Sequence, residues 1–218
     1  MKKSTWRKFN LFLKRTFDIV VSLVLIILLT VIPVLIITFI AVAVSSKGPV
    51  IFTQKRIGKD KKPFVIYKFR TMIVEQYDKD GNEIMSEDRI TKVGRILRKT
   101  SLDELAQLFN VLNGTMSLVG PRPMLDYQAE RCDAEQSLRF EMRPGVTGWA
   151  QVKGRNNIQW PERIQYDLEY IRDFTVWMDI KILFKTFLSV VKKEGTDVKV
   201  EYRGVDPFSK HYVQEESK

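Results

Sequence analysis

The chain has 218 residues, with 36 Lys and Arg against 26 Asp and Glu and a formal net charge of +10. That excess suits an anionic partner: phospholipid headgroups, nucleic acid or phosphorylated substrates. A single cysteine, Cys132, excludes an internal disulfide and agrees with a reducing cytoplasm, and a single histidine, His211, argues against histidine triads and ordinary zinc sites.

From Ile19 to Ser46 the chain runs 28 residues without a charge, with Pro33 near the middle. At 1.5 Å per residue an unbroken helix of that length reaches about 42 Å, more than the roughly 30 Å of a bilayer core. Lys2, Lys3, Arg7, Lys8, Lys14 and Arg15 precede the run, and Lys47, Lys55, Arg56, Lys59, Lys61 and Lys62 follow it. Both flanks therefore ask for the same, cytoplasmic, side. A re-entrant helix-hairpin bent at Pro33 satisfies both; a straight span bent by the proline is the rival, and the length of the apolar core disfavours a cleaved signal peptide. Beyond about 47 N-terminal residues, roughly 170 remain, the size of one ordinary domain with a tail.

Val50 to Phe52 and Phe64 to Phe69 read as short extended segments around the turn-rich stretch from Gly58 to Pro63, a candidate hairpin. Glu75 to Asp88 is a polar loop with Asp80-Gly81-Asn82 as its turn. From Arg89, the apolar residues Ile90, Val93, Ile96 and Leu97 share a helical face that Arg89, Lys92, Arg95, Arg98 and Lys99 surround, a basic amphipathic helix of the kind that rests on membranes. Leu105, Leu108, Phe109 and Leu112 mark the next helix, stopped by Gly114. Loops follow at Val119 to Pro123 and at Arg143 to Trp149, then a helix from Pro161 to Arg172. Ile180, Leu183, Phe184, Phe187 and Val191 form an apolar helical face with Lys181, Lys185, Lys192 and Lys193 around it; core packing is favoured over a second membrane or partner contact. The last two dozen residues read as a polar tail.

With histidine scarce, chemistry falls to carboxylates and lysines, with arginines left to bind anions. Ser101-Leu102-Asp103-Glu104-Leu105 stands where a helix begins. Ser101 and Glu104 have the spacing of a capping box, with Asp103 merely complementing the helix dipole. The same position also presents free amides to a phosphate, and adjacent carboxylates allow one to ligate Mg²⁺ while the other attacks phosphorus.

Six segments in one order carry a resemblance: Phe52-Thr53-Gln54, Tyr67 to Met72, Ser101 to Leu105, Gly120 to Pro123, Arg143 to Gly145 and Gly148 to Val152. From about Lys14 to Val191 the chain resembles the bacterial sugar transferases called monotopic phosphoglycosyl transferases, most closely the small members that lack a large N-terminal extension. The resemblance implies transfer of a sugar 1-phosphate from a UDP-sugar to polyprenyl phosphate, releasing UMP and initiating a membrane glycan. It implies a covalent phosphosugar on Asp103, Mg²⁺ on Glu104, and substrate contacts from Lys68, Arg98, Arg122 and Asp167. Without the family, Lys68 and Arg98 read equally well as solvated charges, Arg122 as a loop clamp and Asp167 as a helix-surface residue. Gly154-Arg155-Asn156 with Ile158 and Trp160 is similar to members that use N-acetylated amino sugars. The chain departs from the family at Ile32-Pro33, where a small hydroxyl residue commonly precedes the proline and helps to satisfy the bend.

The architecture expected is α+β and mostly helical: residues 1–47 a basic segment and re-entrant membrane helix, 48–193 a small cytoplasmic α/β catalytic domain with amphipathic interfacial helices, and 194–218 a polar tail. The expected place is the cytoplasmic face of a bacterial inner membrane, with phospholipid as a partner, no nucleic acid, and a homodimer left open. The other class of function is a membrane-anchored module that binds anionic lipid or nucleic acid without turnover, which predicts binding indifferent to Mg²⁺ and UDP-sugars. Aromatic residues are not interleaved with the basic ones as a nucleic-acid platform requires.

Overall fold

The N-terminal half of the first helix is built with its polar side inward. In the computed structural model, which describes residues 2–77, 85, 88–154, 158–192 and 208, helix α1 covers Lys2–Val31. Asn10, Lys14, Asp18 and Ser22 follow one another at four-residue spacing, and all four are buried. Phe12, Val20, Leu23, Val24 and Ile27 point outward instead. A stripe of this kind needs partners, since a buried charge without one is costly. Lys14 Nζ donates to Asp179 Oδ2 at 2.6 Å and to the Val119 carbonyl at 2.9 Å. Asp18 accepts from the Ser117 hydroxyl at 2.7 Å and the Leu118 amide at 3.1 Å. Arg15 donates to the Val111 and Leu112 carbonyls at 2.6 and 3.0 Å. Lys14 and Arg15, counted in the sequence as membrane-flanking charges, are thus internal fastenings, because the chain returns beneath them with carboxylate and carbonyl partners.

Helix α2 (Val34–Ser45) leaves α1 at a bend of 67°. Pro33 has no N–H to give the turn before it, and the Thr30 hydroxyl bonds back to the Ile26 carbonyl at 2.7 Å, which also favours bending. Thr30 supplies, two residues earlier, the hydroxyl that position 32 lacks. The result is an open elbow rather than a closed hairpin. Among the described residues no single helix is long and apolar enough to cross a membrane, but the bent pair together is. Arg70 fastens its far end, donating to the Ser46 carbonyl at 2.6 Å and to that of Pro49.

Strands β1 (Ile51–Ile57) and β2 (Pro63–Phe69) form the anticipated antiparallel hairpin, pairing Phe52 with Lys68 and Arg56 with Phe64. Helix α3 (Lys92–Thr100) begins at a Thr91 cap, whose side chain accepts from the Gly94 amide. Gly94 lies so close to the hairpin's exit that a Cβ there would stand 2.0 Å from the Thr71 carbonyl oxygen. After a single turn of 3-10 helix at Leu102–Glu104 comes α4 (Gln107–Leu112), which ends ahead of Gly114 as the sequence indicates. Asn110 binds α4 to β2: its Oδ1 accepts from the Tyr67 amide at 2.9 Å and its Nδ2 donates to the Val65 carbonyl at 2.7 Å.

Strand β3 (Ser117–Val119), helix α5 (Asp126–Glu130) and strand β4 (Gly145–Thr147) follow, β3 and β4 pairing in parallel. The two segments read as loops are therefore ends of paired strands. Their glycines let the backbones meet: a Cβ on Gly120 would lie 2.3 Å from the Arg143 carbonyl oxygen, and one on Gly145 2.1 Å from the Gly120 nitrogen. Helices α6 (Trp149–Gly154), α7 (Trp160–Arg172) and α8 (Val176–Val191) complete a mostly helical α+β fold with two small sheets. The main core gathers Ile66, Leu108, Val111, Met116, Tyr170 and Ile182, with Phe17, Val21 and Leu25 of α1 packed on it.

Helix α8 departs from the core-packing expectation. Asp179 and Ile182 face inward, whereas Trp177, Phe184 and Phe187 are 74%, 63% and 64% exposed. Asp179 is drawn inward by Lys14 and by the Tyr170 hydroxyl at 2.6 Å, and that rotation leaves the aromatic stripe outside. Asp80-Gly81-Asn82, Arg155-Asn156, Lys193 and the tail except Phe208 lie outside the described residues. Phe208 is buried beside Trp160.

Candidate active site

One large cleft, of about 1060 Å³, opens between the β1–β2 hairpin, α3, the Leu102–Glu104 turn and the inner side of α8. Asp103, Glu104, Lys68, Arg98 and Arg122 all line it, from four separate stretches of chain. Ser101 aims the acidic pair. It adopts the left-handed region at φ 57° and ψ 18°, closes α3 with its amide, and makes no side-chain cap bond to the turn that follows. The capping box read from the sequence is thus not formed: a capping serine needs extended backbone, and Ser101 is spent on ending α3. A left-handed non-glycine residue costs on the order of 1 kcal/mol, and such strain gathers at functional sites. Helix α4 begins three residues beyond Glu104, so Asp103 does not stand at its N-terminus.

Freed from capping, Glu104 accepts a hydrogen bond from Lys68 Nζ at 2.8 Å. Burial pushes the Glu104 carboxyl up, but Lys68, then Arg122, and hydrogen bonds from Lys68 and Gln107 outweigh it and hold the group below its ordinary range. Asp103 is shifted the other way, to about 6: burial raises it first and the neighbouring Glu104 second, against the opposing pull of Lys68 and Arg98. Two adjacent carboxyls pushed apart in this way have different tasks open to them, the one a fixed anion and the other a group that changes charge near neutrality. Arg98 is kept near Asp103 by its Nε–H, which donates to the Thr71 hydroxyl at 2.9 Å. Lys68 and Arg98 are therefore anchored charges and not freely solvated ones.

Asp167 does not line the cleft. It is buried on α7, where Arg139 donates to it from Nε at 3.2 Å and also from Nη2. Arg139 Nη2 in turn donates to the Arg122 carbonyl at 2.9 Å. The pair stands behind Arg122 and fixes the Pro121-Arg122-Pro123 turn, so Asp167 acts on the cleft from behind, through that backbone and through its charge on Arg122 and Arg163. Its sequence alternative as a helix-surface residue fails too, because this face of α7 packs against the Gln136–Glu141 turn.

Sequence reasoning overlooked Arg56, Gln54 and Gln151 as cleft residues. The first two were legible: β1 alternates, so Phe52, Gln54 and Arg56 share a face, and the pairing of Phe52 with Lys68 puts that face on the cleft. Gln151 carried no such signal; both polar atoms of its carboxamide are buried with no hydrogen-bond partner among the described residues.

Known proteins supply the remaining comparison. A family model described as bacterial sugar transferase matches residues 9–193. The chain is 43% identical over 183 residues to an uncharacterised sugar transferase of Bacillus subtilis (strain 168), covering 84% of this chain and 89% of that protein. It is 47% identical over 186 residues to a UDP-glucose:undecaprenyl-phosphate glucose-1-phosphate transferase of Escherichia coli (strain K12), covering 81% of this chain and 40% of that one. With a UDP-N-acetylgalactosamine-undecaprenyl-phosphate N-acetylgalactosaminephosphotransferase of Aeromonas hydrophila the identity is 38% over 196 residues, covering 84% and 45%. The chain thus spans most of the first relative and less than half of the other two. A match across nearly the whole described chain, on the segments that build the cleft, has one reading: this protein belongs to the bacterial sugar transferase family.

Proposed function

We propose that the protein transfers a sugar 1-phosphate from a UDP-sugar to polyprenyl phosphate through a phosphosugar carried on Asp103, with release of UMP, as the first step of a membrane glycan. The observation that carries this reading is the acidic pair: a partly buried carboxyl poised near 6 beside a carboxylate fixed by Lys68, inside a cationic cleft large enough for a nucleotide sugar. In its ionised form Asp103 is the nucleophile toward the β-phosphorus, while Lys68 and Arg98 offset the charge gathered there. Relatives whose names specify glucose, galactose and N-acetylgalactosamine transfer support the general reaction.

The donor set suits Mg²⁺, which is commonly held by one or two carboxylates together with substrate phosphates. Glu104, which Lys68 and Arg122 keep ionised at the cleft, would hold it. When bound, the ion supplies positive charge to the diphosphate. Incubating the purified protein with Mg²⁺, polyprenyl phosphate and a panel of UDP-sugars tests the reading: UMP is expected with at least one donor, an N-acetylated amino sugar being favoured. No UMP from any of them, with retained lipid or nucleic-acid binding, would move the protein to the class of non-catalytic binding modules.

The exposed apolar residues of α1 and α2, and Trp177, Phe184 and Phe187 on α8, suit a chain seated at the cytoplasmic face of the inner membrane, with the helix pair re-entering rather than spanning. Reporters fused at the two termini are expected to be reached from the cytoplasmic side alone. Labelling of the termini from opposite sides would establish a span and remove the re-entrant reading.

A further inference from the structure

The cleft holds a second cationic centre that the chemistry at Asp103 leaves unused. Arg56 projects from β1 on the same face as Lys68, and its Nε and Nη2 both donate to Gln54 Oε1, at 3.1 and 2.6 Å. The guanidinium is therefore held in place along the strand. Arg122 comes from the turn that Arg139 and Asp167 fix from behind. Both side chains line the cleft, and among the described residues neither meets a carboxylate within ion-pair distance. Lys68, by contrast, is already neutralised by Glu104. Burial, and after it the like charge of Arg122, bring the Arg56 guanidinium down to about 10. Arg122 also feels Glu104 and Asp167 at longer range, but the two partly buried guanidiniums, each within electrostatic reach of the other, have no carboxylate in direct contact, and their planar forks match phosphate oxygens.

We propose that Arg56 and Arg122 form a single clamp for a phosphate monoester dianion, occupied first by the departing nucleoside monophosphate and then by the arriving lipid monophosphate. This rests on the Asp103 reading above. In the first half-reaction the bond from Asp103 Oδ to the β-phosphorus forms as the bond from that phosphorus to the bridging oxygen breaks. The electron pair goes to the bridging oxygen, which leaves on the nucleoside monophosphate. In the second, an oxygen of the lipid monophosphate attacks the same phosphorus, the Asp103–phosphorus bond breaks, and the carboxylate is restored. Attacking and leaving oxygens lie in line at each step, so in both halves the oxygen opposite Asp103 occupies the same place. Negative charge grows there as the first monoester departs and is withdrawn as the second attacks. One fixed pair of arginines serves both.

Equilibrium binding to the full-length protein tests the clamp without turnover, with UMP and farnesyl phosphate as the two monoester probes and uridine as the uncharged control. For the wild type, UMP and farnesyl phosphate are expected to compete. Arg56→Ala is expected to weaken both by tenfold or more while uridine binds as before and the melting temperature is unchanged. Arg56→Lys keeps a charge but not the fork and gives a smaller loss of both; it carries the test if the alanine variant does not fold. Simultaneous binding of the two probes, or a loss confined to one, would show separate sites and overturn the proposal, as would variants that bind both probes like the wild type. UMP release by the wild type alongside unchanged binding by the variants overturns the clamp alone. Shared, Arg56-dependent binding without UMP release from any UDP-sugar overturns the turnover reading alone.

Discussion

Asp103→Asn is expected to lower UMP release by at least about 10⁴-fold and at the same time to make the folded protein more stable at pH 8. The amide keeps the shape of the carboxyl and removes the proposed nucleophile. The gain in stability has an electrostatic source. In the folded chain the Asp103 carboxyl titrates near 6, raised from 3.8 by burial and by Glu104, so folding penalises its ionised form. That penalty is absent below pH about 4 and complete above pH about 6; Asn, which never ionises, escapes it. Two units correspond to nearly 3 kcal/mol, and partial exposure reduces this to about 1–2 kcal/mol. Denaturation of wild type and variant at pH 4, 6 and 8 measures it: the difference should open with rising pH, and an equal difference at all three would refute the electrostatic cause. The same titration predicts that wild-type kcat/KM falls tenfold per pH unit below about 6. A profile flat down to pH 4.5 would remove Asp103 as the titrating nucleophile.

Lys14→Met is expected to cost about 3–5 kcal/mol, the usual consequence of leaving a buried carboxylate without its cation. For a chain of this size that is a fall in melting temperature of roughly 10 °C. Lys14 and Asp179 have only 6% and 1% of their side-chain surface exposed, and one bond between them ties the N-terminal helix to the last one. The double variant Lys14→Met, Asp179→Leu should recover most of the loss, because an apolar pair of similar volume avoids desolvating two ions. Thermal melts of the two single variants and the double one decide the matter. If Lys14→Met melts like the wild type, Lys14 is an ordinary flanking charge after all.

That pair marks where sequence reading stops. Lys14 looked like its neighbours in a basic flank, and only the return of α8 beneath it, 165 residues later, supplies the carboxylate. Yet a signal was present: Asn10, Lys14, Asp18 and Ser22 fall on one helical face, and a polar stripe on a helix whose other sides are apolar belongs inside. Alternation along β1 in the same way puts Arg56 on the face that carries Lys68. For Asp167 no local pattern could have served, since its partner Arg139 is 28 residues away and acts on the cleft through the backbone of Arg122.

The sequence by itself determined the helices with regular apolar spacing, the hairpin, the stop at Gly114, the break at Pro33, and an acidic pair in a chain rich in cations, because period, turn chemistry and composition are local properties of the chain. The tertiary structure alone decided which charges are fastenings and which face the cleft, that Ser101 turns left-handed and gives up its cap, that Trp177, Phe184 and Phe187 remain outside, and that Arg56 and Arg122 line one cleft. Each of these depends on a partner brought from a distant part of the chain, and burial beside that partner, rather than residue type, sets what a charged group can do.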